Sequence, residues 1–170
     1  MRVRFWGTRG SIATPGSTTL RYGGNTSCVE LLTNSGSRFI LDCGTGARPL
    51  GLDLQQNVQK PIRATILLSH THWDHIQGFP FFTPAFQSGN EFTVCAPEGM
   101  GRSISDVLSG QMEFTYFPVE LDQLPARVGL DAVRLEREPD EQRTFPIGAL
   151  PVPRVPEDVG VLHEAKGHRV

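Results

Sequence analysis

The stretch Ile62-Arg63-Ala64-Thr65-Ile66-Leu67-Leu68-Ser69-His70-Thr71-His72-Trp73-Asp74-His75 (residues 62–75) decides how this chain is read. Its first seven residues form a short β-branched and aliphatic run that suits a buried strand. The run ends at Ser69, and four side chains able to ligate a metal follow within six residues. In an extended or tightly turned segment, His70 and His72 project to the same side and can share a cation. Asp74 and His75 come next on the turn, within reach of a second cation. Three imidazoles and a carboxylate match zinc first, with manganese or iron as alternatives. Two such ions about 3.5–4 Å apart hold a bridging hydroxide, lower its pKa and polarise a scissile bond.

Upstream, Arg2–Trp6 alternates as a half-buried strand, and residues 7–26 make a long loop rich in glycine. A loop of that length inside a domain is usually functional. The apolar runs 28–33 and 38–42 flank Asn34-Ser35-Gly36-Ser37, which predicts a β-hairpin. Asp42-Cys43-Gly44-Thr45-Gly46 breaks the second strand, and leucines at 50, 52 and 54 predict a helix over 47–57. Downstream, the pattern predicts a strand over 92–96 and a helix over 101–108, with Ser103 as its cap and Gly110 near its stop. Further strands are predicted over 128–135 and 144–150, joined by a charged turn. Pro146, Pro151, Pro153 and Pro156 then remove ladder donors, so 151–170 reads as an irregular tail.

Length and charge narrow the classes. A chain of 170 residues fits one domain, and 16 Lys and Arg against 18 Asp and Glu leave a net charge of −2. That excludes the global basic field of a non-specific nucleic-acid binder. Residues 1–60 carry seven basic and three acidic side chains, and residues 61–120 carry two and six. Arg9 and Arg21, in the basic glycine-rich loop, are either phosphate contacts or ordinary exposed arginines. Phe79, Phe81, Phe82, Phe86, Phe114, Tyr116 and Phe117 either line a substrate pocket or pack in the core. No run approaches the 18 apolar residues of a membrane span, and the opening lacks the pattern of a secretory signal. Three scattered cysteines, Cys28, Cys43 and Cys95, suit a reducing cytoplasm, which is the expected location.

The His70-x-His72-x-Asp74-His75 turn after a buried strand resembles the metallo-β-lactamase superfamily. Gly7-Thr8-Arg9-Gly10-Ser11, Tyr22-Gly23-Gly24-Asn25-Thr26-Ser27 and Leu41-Asp42-Cys43-Gly44-Thr45-Gly46 are similar to its phosphodiesterase and transfer-RNA 3′-processing branch. The resemblance implies an α/β (α+β) fold, an αββα sandwich, with two divalent metal ions at one edge. His70 and His72 would then ligate one metal, and Asp74 and His75 the other. Asp74 would also orient the attacking water, and Asp42 would buttress the metal loops. The resemblance further requires downstream ligands, yet no histidine lies between His75 and His163. His163, His168 and Asp158 fall in the tail without matching context.

The expectation is therefore that residues 1–150 are the N-terminal part of a metal-hydrolase domain. Residues 151–170 would be an unrelated ending, as a frameshift or early stop would give, and the sandwich would lack much of its second half. A metal-dependent hydrolase of a small or nucleotide-like phosphodiester is the functional expectation. The alternative is a catalytically impaired fragment, or a module that binds metal or associates through an exposed apolar face with a second copy.

Overall fold

The computed structural model describes residues 1–97 and 101–133. These belong to the unit Met1–Glu136. The expected strand over 144–150 and tail over 151–170, with His163, His168 and Asp158, lie outside the described residues.

One mixed sheet organises this unit. Its strands are β1 (Arg2–Gly7), β2 (Cys28–Leu32), β3 (Arg38–Leu41), β4 (Arg63–Leu67), β5 (Glu91–Pro97) and β6 (Arg127–Val133), and they lie side by side in chain order. The pairs β1/β2 and β2/β3 are antiparallel, as the short turn between β2 and β3 dictates. From β3 onward every pair is parallel, so each connection must cross over. The crossovers carry three helices: α1 (Ala47–Asn57), the single turn α2 (Trp73–Ile76) and α3 (Ile104–Gln111). The fold is thus a mixed α+β arrangement of six strands and three helices. The expected α+β class is therefore present, and the described residues build one sheet.

Strand alternation divides the sheet into two unlike faces. Cys28, Ile40, Ala64, Ile66, Phe92, Val94 and Ala96 are buried beneath Leu50 and Leu54 of α1, Ile104 and Leu108 of α3, and Phe79 and Phe82. Glu30 joins this face with 1% of its surface exposed; Arg38 donates to it, and the Trp6 indole donates at 3.3 Å. On the opposite face the register aligns Phe5 with Val29 and Leu41, and Leu41 with Leu67. Phe5 and Leu67 are exposed there.

Helix α1 spans the expected residues, burying Leu50 and Leu54 while Leu52 faces outward. Helix α3 begins later than expected, because Ser103 accepts a hydrogen bond from the Asp106 amide and caps it there. It also runs through Gly110, which has open space around it and costs the helix only propensity.

Candidate active site

The carboxyl ends of β3 and β4 deliver the expected residues to one place, the usual ligand position on parallel strands. Leu41 pairs with Leu67, so Asp42 and Ser69 emerge side by side. Asp42 adopts φ 59°, a left-handed backbone that Asp tolerates better than most side chains. Its amide donates to the Leu67 carbonyl at 2.9 Å. Its buried carboxylate gathers the neighbouring loops: Oδ1 accepts from the Ser69 amide and hydroxyl, each at 2.8 Å, and Oδ2 accepts from the Ser27 hydroxyl at 3.1 Å. His75 Nδ1 lies 2.8 Å from Oδ2.

Two glycines let the histidine turn settle onto the end of β3. The Cys43 amide donates to the His75 carbonyl at 2.7 Å, and the Gly78 amide to the Cys43 carbonyl at 2.9 Å. A Cβ on Gly78 would overlap the Gly44 carbonyl, and one on Gly44 would overlap the Asp74 carbonyl. Close backbone approach is what these positions require of glycine.

The four side chains of the turn form two pairs. His70 Nε2 lies 3.1 Å from His72 Nδ1, and the Ser69 hydroxyl lies 3.0 Å from His70 Nδ1. His75 Nε2 lies 3.4 Å from Asp74 Oδ2. The His70 and His75 rings stack at a tilt with centroids 4.0 Å apart. Burial, reinforced by the neighbouring His75 and His72, lowers the His70 pKa below the usual imidazole value, so a neutral ring is favoured near pH 7. The Ser11 amide donates to Asp74 Oδ2 at 2.8 Å and holds that carboxyl below its usual range. Asp74 therefore stays ionised at neutral pH.

Among the described residues, no group of three or more His, Cys, Asp or Glu side chains is arranged to hold a metal ion. His70, His72, Asp74 and His75 face one another as two pairs. The cause is local, since His75 commits Nδ1 to Asp42 while His70 and His72 turn toward each other.

Arg9 and Arg21 lie on the glycine-rich loop and line a separate concavity with Tyr22. Of the aromatic residues, Phe79 and Phe82 are core, whereas Phe81, Phe114 and Tyr116 are exposed. Sequence reasoning missed Ser69, Ser11 and Trp73. Ser69 carried a signal, as a hydroxyl directly after a buried strand. Trp73 lies inside the motif and is 81% exposed. Nothing local marked Ser11, because its contact with Asp74 spans 63 positions. Cys28 and Cys43 are buried; burial, with Asp42 nearby, pushes the Cys28 thiol up to about 12.

No helix among the described residues is long and apolar enough to cross a membrane. The model of one protein family, described as Anti-Pycsar protein Apyc1, matches residues 13–129, which is 117 of the 170. No curated protein matches the chain. The family match overturns the assignment to the metallo-β-lactamase superfamily and, with it, the expectation of a general metal hydrolase of that superfamily. It gives no support to the alternative of an impaired fragment or association module.

Proposed function

The chain belongs to the Anti-Pycsar protein Apyc1 family, and from that premise we propose that it opposes a Pycsar defence by degrading a cyclic nucleotide. The observation that carries the chemistry is the meeting of the ionised Asp74 with three imidazoles at the carboxyl ends of β3 and β4. Opening a cyclic phosphate needs a water placed for in-line attack, charge stabilisation at phosphorus and a proton for the departing alkoxide.

Asp74 suits the first task. Its carboxylate is held by the Ser11 amide and can accept a hydrogen bond from water and orient it. The new bond joins the water oxygen to phosphorus while one phosphorus–oxygen ester bond breaks. The proton released by water passes to the Asp74–His75 pair, and the alkoxide recovers one to give a linear monophosphate. Arg9 and Arg21 are assigned to contacts with the substrate's negative charge.

A divalent metal ion, zinc, manganese or iron, belongs to the same proposal. The nitrogens of His70 and His72 lie 3.1 Å apart, and the His75 nitrogen lies 3.4 Å from the Asp74 carboxylate, so each pair sets two donors side by side. His70 with His72, and Asp74 with His75, are the donors such ions would use. When bound, an ion would supply positive charge to polarise the phosphoryl oxygen. The place of action is the cytoplasm.

The test supplies the full chain with 3′,5′-cyclic nucleoside monophosphates and follows loss of the cyclic form by chromatography. The expected result is turnover by wild type and a fall of at least 100-fold in His72→Ala, with circular dichroism unchanged. Equal turnover by the variant, or no turnover by wild type with any of the common bases, would refute the assignment.

A further inference from the structure

We infer that the open edge of β6 pairs antiparallel with β6 of a second copy of this chain, joining the two sheets across a two-fold axis at Gly129. Among the described residues β6 is the last strand of the sheet and pairs with β5 alone. The Arg127 amide donates to the Asn90 carbonyl, on the β5 side, at 2.9 Å. Successive residues of a strand turn their peptide groups to opposite sides, so the amides and carbonyls of Val128 and Leu130 point to the open edge. An edge of this kind is a template for another strand.

The strand, Arg127-Val128-Gly129-Leu130-Asp131-Ala132-Val133, complements itself. Turned antiparallel about Gly129, it sets Val128 opposite the partner's Leu130, where the outward peptide groups exchange hydrogen bonds on both sides of the axis. Arg127 falls opposite the partner's Asp131, and symmetry repeats the match. Arg127, Gly129 and Asp131 occupy the positions without inter-copy hydrogen bonds, where opposing Cα atoms come to about 4.5 Å and side chains lie closest. Gly129 leaves the closest approach on the axis clear. A centre at Leu130 or Val128 would instead set Arg127 opposite Val133 or Gly129, with both charges unmatched.

The two charges are available for this contact. Arg127 and Asp131 are both exposed, and neither is ion-paired among the described residues. Glu91, beside Arg127 in the register, is held by Arg63 at 3.0 Å. Opposite charges directly across two strands stabilise the pair, and like charges oppose it. On the helix-covered side of the same edge lies a cavity of about 600 Å³, with Met112, Leu121, Leu124, Val128 and Leu130 as its apolar lining. Pairing lays the partner's Val128 and Leu130 beside that lining and removes apolar surface from water.

Sedimentation velocity over a concentration series tests this with wild type, Arg127→Asp, Asp131→Arg, the double exchange Arg127→Asp/Asp131→Arg, and Gly129→Cys. The expected result is a reversible wild-type dimer that either single reversal weakens about tenfold or more, and that the double exchange restores to within about threefold. Substitutions at side chains this exposed leave the thermal midpoint unchanged. Gly129→Cys, whose Cβ meets nothing closer than 3.9 Å, keeps the fold and oxidises under air to a covalent dimer that a reductant separates. A wild type that stays monomeric throughout would overturn the inference. So would a dimer that neither reversal weakens, since its contact lies on another surface. Reversals that weaken the dimer without rescue by the double exchange would overturn the pairing about Gly129.

Discussion

Ser69 shows how much of the candidate site depends on one hydroxyl. Its Oγ is 2.8 and 3.1 Å from the two Asp42 oxygens, 3.0 Å from His70 Nδ1 and 3.3 Å from His75 Nδ1. It thus links the buttressing carboxylate to both imidazoles, and fixing ring orientation is what such outer partners contribute. Ser69→Ala should therefore fold, with a stability loss of about 1 kcal/mol, and lose about tenfold or more in turnover. A denaturant titration alongside an activity assay checks this; unchanged turnover would show that the hydroxyl does not set ring geometry. Asp42, His70, His72, Asp74 and His75 were legible from the sequence because they lie in two short segments. Ser11 was not, because only the folded loop brings it to Asp74.

At the scale of elements, the hairpin, α1 and the strand before the histidine turn were all readable from local pattern. Each is set by short-range rules: a four-residue turn, leucines on one helix face, and a short apolar run. The packing of the histidine turn on the β3 end was not readable in this way, since it depends on two glycines 34 positions apart. Gly78→Ala should force the turn away from Gly44 and destabilise the protein by about 3 kcal/mol. Gly110→Ala is the matched control. It lies within α3 with nothing near its Cβ position, so it should stabilise by about 0.5–1 kcal/mol. Thermal melts of both variants check the pair of signs, and equal effects would refute the close-approach argument. Between β1 and α1, Arg4 donates to Asp53 at 2.8 Å, and this bond lowers the Asp53 pKa. A carboxyl with a depressed folded pKa adds stability above its unfolded value of about 3.9, and that stability disappears as pH falls through the folded pKa. Asp53→Asn should cost at most about 1 kcal/mol at pH 7 and make stability less sensitive to acid below pH 4. Parallel pH dependences for variant and wild type would contradict the pairing.

For the molecule as a whole, one short motif was a false lead to the family. Six residues and three glycine-rich stretches define a local shape, whereas the family match weighs 117 positions. Local patterns predict individual strands, but whether those strands build one sheet or two depends on pairings between distant segments. Among the described residues they build one, with its helices over Ile40, Ile66 and Val94 and with Phe5 and Leu67 open on the other face. The basic first third, read from the sequence alone, contains the arginine-bearing concavity, and the acidic middle contains Asp74.

The central claim is that water attacks a cyclic nucleotide at the Asp74 turn, and phosphorus-31 NMR in oxygen-18 water tests it most directly. The account predicts that wild type converts the cyclic phosphate to a linear monophosphate carrying one oxygen-18, while Asp74→Ala, folded by circular dichroism, leaves the cyclic resonance intact. Equal label incorporation by Asp74→Ala, or an unchanged cyclic resonance with wild type, would contradict it.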